Sequence, residues 1–193
     1  MLGAIIGDIV GSVYEFSNIK TKEFELFKPS CRFTDDTVMT CAVGNAIMNG
    51  GSEKDFILSM KKYGRMYHHA RYGGNFRFWL RSKNTEPYNS FGNGSAMRVS
   101  PCAWVMDCGF CARTGMWPNR DLTRLSASVT HNHPEGIKGA LHWRYVMQSL
   151  WQDFILVDGI LNIQIQLIQI RMSVKEESKS ILKMSMVMIY QCL

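Results

Sequence analysis

Apolar positions recur with a helical period along most of the first 140 residues, and no convincing strand alternation appears there. Ala4, Ile5, Ile6, Ile9, Val10 and Val13 form a stripe that predicts a helix over 1–17. Gly3, Gly7 and Gly11 stand four apart on one face of it. Each glycine costs a helix about 1 kcal/mol against alanine, so three in register predict a close-packed neighbour on that face. Residues 17–32 are charged, irregular and contain Pro29, which reads as a loop. Residues 38–48 are an apolar run with helical spacing, preceded by Thr34-Asp35-Asp36-Thr37 and closed by Asn49-Gly50-Gly51-Ser52, where glycine accepts the left-handed cap. Residues 53–69 form an amphipathic helix with Ser52 as N-cap. Residues 72–95 are rich in Gly, Asn and aromatic residues and predict a long loop with one short helix around 76–81. Helices over 96–106, with Pro101 in its first turn or at a kink, over 119–129, and from Glu135 onward after Pro134, complete an all-α class.

Composition sharpens this picture in one place. Overall, 46% of residues are hydrophobic and 20% charged, which excludes a disordered or fibrous chain. The average conceals a change at residue 140. Residues 1–140 hold all nine alanines and 15 of 16 glycines, whereas all six glutamines follow. The chain therefore divides into 1–140 and 141–193. The net charge of +6 includes no basic run and predicts neither nucleic-acid nor membrane partners. No stretch reaches the ~20 apolar residues of a membrane span. Asp8 interrupts the apolar start and no basic leader precedes it, so a cytoplasmic protein is expected. The six cysteines then read as reduced, buried or half-buried thiols; Cys108 and Cys111 have CxxC spacing but lack the second pair of a zinc site.

Three polar constellations carry candidate chemistry. Thr34, Asp35 and Asp36 are adjacent oxygen donors suited to a hard cation such as Mg²⁺, and equally suited to capping the helix that follows. Phe91-Gly92-Asn93-Gly94-Ser95-Ala96-Met97-Arg98 is a Gly-rich loop opening a helix, either a phosphate cradle or a tight turn with a cap; Arg98 adds charge to it or is simply solvated. His131-Asn132-His133-Pro134-Glu135-Gly136 is a turn whose histidines suit a metal, a sugar, a base or plain solvent. His68 and His69 face different ways on a helix and read as solvated.

Taken together with Gly7-Asp8-Ile9-Val10-Gly11-Ser12-Val13-Tyr14-Glu15, these blocks resemble the ADP-ribosylglycohydrolase family in order and spacing over residues 1–140. The resemblance implies an all-helical fold around a two-magnesium site and hydrolysis of the glycosidic bond joining ADP-ribose to an acceptor. The substrate would be an ADP-ribosylated protein or a small ADP-ribosyl compound. Carried over by position, Thr34, Asp35 and Asp36 would be metal ligands, with Asp35 or Asp36 also serving as base. Glu15 would gate or position at the substrate entrance. Phe91, Gly92, Asn93, Gly94, Ser95, Met97 and Arg98 would wrap the diphosphate and ribose, and His131 would contact the ADP-ribose moiety.

The resemblance stops short of the family's second metal motif, an Asp-Thr-Asp-Thr-like stretch. After Glu135 the acidic residues are Asp153, Asp158, Glu176 and Glu177, none with that spacing. A frameshift near codon 140 would account for the loss of alanine. Read from the third base of the preceding codon, Met147 into Gln148 yields Ala, and the neighbouring triplets fit an alanine-rich helix. A truncated, weakly active or inactive hydrolase is expected, with an ADP-ribose-binding module devoid of catalysis or a non-functional fragment as alternatives. Residues 154–170 suit a strand or a helix.

Overall fold

The computed structural model describes residues 1–107 and 121–155. Among them every regular element is helical: α1 (Leu2–Gly11), α2 (Asp35–Met48), α3 (Glu53–Met66), α4 (Gly74–Arg81), α5 (Ser100–Asp107), α6 (Leu122–Ser128) and α7 (Pro134–Ile155), with a single 3-10 turn, Asn93–Ser95, ahead of α5. The all-α class is borne out. Cys108, Cys111, Cys192 and most of 154–170 lie outside the described residues.

The centre of the molecule is α2. Ten of its 14 residues are buried, the signature of a helix enclosed on all sides rather than lying at the surface. α1, α3 and α5 pack on it, and α5, α6 and α7 pack on one another. The core joins Ile5 and Ile9 of α1, Val38, Met39 and Val43 of α2, Phe56 and Met60 of α3, and Val99, Cys102 and Leu122 near α5 and α6. Cys31, Cys41 and Cys102 form no disulfide, and the last two are buried. No described helix is long and apolar enough to cross a membrane.

The predicted ends are mostly where the capping chemistry puts them. Ser52 and Asp55 form a reciprocal capping box at the start of α3, with Ser52 Oγ accepting from Asp55 N at 3.2 Å and Ser52 N donating to Asp55 Oδ2 at 3.0 Å. After α2, Gly50 and Gly51 take φ of 118° and 65°, the left-handed exit that glycine allows. Pro101 sits in the first turn of α5 and Pro134 opens α7.

Two expectations about α1 change. The helix stops at Gly11 rather than near residue 17, because Ser12 Oγ turns back to donate to Ile9 O (2.8 Å) and accepts from Arg32 N (3.0 Å). The glycine face is not closely packed either. Among the described residues nothing lies within 4 Å of a Cβ placed at Gly3, Gly7 or Gly11. The buried face carries Ile5 and Ile9 instead, and two residues at 100° each put the glycines on the opposite side. α7 passes through residues 140 and 141 without a break.

Candidate active site

The site is organised by a residue that the sequence reading mentioned only in passing. Asp8 projects from α1 to the start of α2, where its carboxylate accepts four hydrogen bonds. Oδ2 accepts from Thr34 N (2.8 Å), Thr37 N (3.2 Å) and Thr37 Oγ1 (2.5 Å), and Oδ1 accepts from Thr34 Oγ1 (2.6 Å). Thr34 is the N-cap of α2, and its Oγ1 also accepts from Asp36 N at 3.4 Å. The first N–H groups of a helix have no partner within it; Thr34 and Asp8 supply acceptors for those of Asp36 and Thr37.

This arrangement serves the N–H groups of Asp36 and Thr37 without the Asp35 and Asp36 carboxylates; Asp35 meets its own backbone N–H. Both aspartates are half-buried in the first turn, and neither takes part in an ion pair among the described residues. Burial, reinforced by the neighbouring Asp36 and by Asp8 and Glu15, raises the Asp35 carboxyl to about 7. Burial, with Asp8 and Glu15, raises Asp36 to about 6. Two crowded carboxylates with no cation beside them form a site short of positive charge. Glu15 borders the cluster, but Arg71 holds it in a half-exposed pair at 3.0 Å. Arg71 also reaches Ser12 O at 3.4 Å and lies over the Phe16 ring at 5.6 Å, from a backbone φ of 62°. The neighbouring Tyr72 is 2% exposed, its phenol finds no hydrogen-bond partner among the described residues, and burial followed by the charge of Asp35 pushes its pKa up.

The second half of the site is the junction of the Gly-rich loop with the histidine turn, two blocks that lie about 40 residues apart in sequence. Ser95 Oγ donates to Gly136 O (2.7 Å), Asn89 N to Asn132 Oδ1 (2.8 Å) and Ser90 N to Thr130 O (3.4 Å). Phe91 is 75% exposed at the rim, its ring 5.6 Å from that of His133. Gly92 and Asn93 are exposed, Gly94 and Met97 half-buried, and Ser95 buried. The junction tolerates no side chain at two glycines. A Cβ at Gly94 would lie 2.9 Å from the His131 ring, and one at Gly136 would lie 2.7 Å from Ser90 O. Thr40 Oγ1, one turn beyond Asp36 on α2, donates to Met97 O at 3.4 Å and ties the loop to the helix that carries the carboxylates.

Two residues take places different from those expected. Arg98 is not solvated. It is 1% exposed, and Nη2 donates to Ser126 O (2.6 Å) and Thr130 Oγ1 (2.8 Å). The chain has already turned inward after the 3-10 turn, so the guanidinium supports the loop from beneath. His131 is 4% exposed and lies under Gly94 rather than on an open turn, with Tyr88 beside it at 6.1 Å. Burial, then the charge of Arg98, lowers its pKa to about 3. Thr34, Asp35, Asp36 and Glu15 come together as expected. Asp8, Arg71, Tyr72 and Thr130 are additions. A carboxylate inside an apolar helix was a signal for Asp8; no local pattern marks the other three.

A family model described as ADP-ribosylglycohydrolase matches residues 1–180. No curated protein and no solved structure matches the chain.

Proposed function

The chain belongs to the ADP-ribosylglycohydrolase family, and from that premise we propose that its two docked halves bind ADP-ribose and cleave its glycosidic link to an acceptor with the help of Mg²⁺. The observation that carries this reading is the pair of carboxylates, Asp35 and Asp36, without a cation partner among the described residues, on the helix to which the Gly-rich loop is tied. Their oxygens, with the Thr34 hydroxyl, form a donor set that suits a hard divalent cation. Thr34 Oγ1 gives its proton to Asp8 and one lone pair to Asp36 N, which leaves one lone pair for a ligand. Mg²⁺ held there supplies Lewis-acid polarisation and acidifies water.

The chain's own residues supply the remainder. Breaking the bond develops positive charge on the ribose, and Asp35, Asp36 and Glu15 place negative charge on one side of the site. Asp35, raised to about 7, is poised to take a proton from water near neutral pH. The N–H groups that open the 3-10 turn at Asn93 have no acceptor within it and would serve a diphosphate bound in the loop. Phe91 offers an exposed ring at the rim.

Residues 136–193 carry four acidic residues, none of them in a paired metal motif. We ascribe that to a frameshift near codon 140. Restoring the downstream frame should increase release of ADP-ribose from a modified protein, and Asp35→Ala or Asp36→Ala should abolish it. Release that survives both substitutions would overturn the metal assignment. The intact junction of loop and turn favours, as a second reading, a binding module without turnover. That module would bind ADP-ribose equally with and without Mg²⁺, whereas the hydrolase would bind it more tightly with the metal.

A further inference from the structure

Beneath the Gly-rich loop lies a buried chain of three polar side chains. Arg98 Nη2 is 2.8 Å from Thr130 Oγ1, and Thr130 Oγ1 is 2.8 Å from His131 Nδ1. All three residues are buried, Thr130 completely. A guanidinium can only donate, so Thr130 Oγ1 accepts from Arg98. The hydroxyl proton then points elsewhere, and His131 Nδ1 is the partner at hand. If Nδ1 carried a proton as well, Thr130 would accept twice and its own proton would be stranded in a buried site, a costly arrangement. Nδ1 is therefore the acceptor, and the ring proton sits on Nε2.

Nε2 is the atom that meets the loop. Together with Cε1 it lies 2.9 Å from where a Cβ on Gly94 would stand. Among the described residues no group hydrogen-bonds to it. We propose that Arg98 and Thr130 act as positioning residues that lock His131 in its neutral Nε2–H tautomer, so that it presents one uncharged donor through the gap left by Gly94 to an acceptor oxygen of a ligand in the loop. Burial and the nearby guanidinium both disfavour the imidazolium, in agreement with this geometry. The identity of the ligand as ADP-ribose rests on the functional reading above; the tautomer does not.

The expected contribution is one neutral hydrogen bond, about tenfold in affinity. It is a donor available without protonation, which distinguishes His131 from a lysine or arginine placed at the same spot. It also assigns a purpose to a glycine that has no left-handed backbone to explain it, since Gly94 keeps the line between Nε2 and the loop open.

Long-range ¹⁵N–¹H correlation spectra of the full chain, labelled at histidine, test the lock directly at neutral pH. The His131 ring should give the pattern of a protonated Nε2 and a bare Nδ1. Thr130→Val should lose that pattern and Thr130→Ser should keep it. Titration with ADP-ribose should show binding about tenfold weaker in Thr130→Val than in Thr130→Ser. An Nδ1–H ring or an imidazolium in the unmodified chain would overturn the proposal, as would a Val variant with an unchanged spectrum. The spectrum of the unmodified chain needs neither a variant nor a ligand. If it is as expected and ADP-ribose fails to bind, the functional reading is at fault and the lock stands.

Discussion

Asp35 and Asp36 set the chemical tone of the site at the level of single residues. Their carboxyls ordinarily titrate near 3.8 and here do so at about 7 and about 6. Between about pH 4 and 7 the native state therefore holds more protons than the unfolded chain, and stability from these groups falls as pH rises through that window. His131 acts in the opposite sense. Its pKa drops from 6.5 to about 3, so the unfolded chain takes up the proton first and stability is lost as pH falls from about 6.5 toward 3. Asp35→Asn removes one of two crowded charges. At pH 8, without metal, it should raise the melting temperature by about 2–4 °C; at pH 4 the gain should shrink toward nothing. Thermal scans at the two pH values check this, and an equal shift at both would contradict the repulsion. Adding Mg²⁺ at pH 8 should stabilise the unmodified chain more than the variant.

At the scale of elements, the two most telling residues are neighbours on α1. Gly7 lies on a face with nothing near it among the described residues, so Gly7→Ala should stabilise by about 0.5–1 kcal/mol through helix propensity. Asp8, one residue on, accepts four hydrogen bonds that begin α2. Asp8→Ala strands those donors and should cost about 2–4 kcal/mol. Urea denaturation of the two variants should move the midpoint in opposite directions. The contrast also shows what the pattern of residues could reveal. The N-cap of α3 at Ser52 was readable from the sequence, and so were the glycine exit of α2 and the proline start of α7; the reciprocal partner Asp55 came only with the structure. The bond between Asp8 and Thr34 spans 26 positions, and a helical period carries no information about a partner so distant. The glycine stripe misled for a related reason. Small residues allow a close approach, but only the rest of the fold decides whether anything comes near.

The whole molecule brings together blocks that the chain keeps far apart. α2 carries the carboxylates at its start and holds the Gly-rich loop through Thr40, and the loop lies on the histidine turn. The presence of a helical domain and of a family site was legible because each block has a characteristic order of residues. Which side chains stay at the surface was not, because burial is decided by packing between blocks; Arg98 belongs to the right motif yet lies beneath the surface that motif forms. The connection between α3 and α4 closes the assembly. Arg71 reaches from it to Glu15 and Ser12 with φ at 62°, a conformation in which a side chain is strained and glycine is not. An exposed ion pair contributes little to stability, about 0–1 kcal/mol. Arg71→Gly should therefore leave the melting temperature unchanged or slightly higher while releasing Glu15, which hydrogen exchange over residues 12–33 would report as faster. An engineer who ranked positions of this protein by predicted stability would put Arg71 among the first to replace. The improved chain would keep its fold and leave the acid beside Asp36 without its tether.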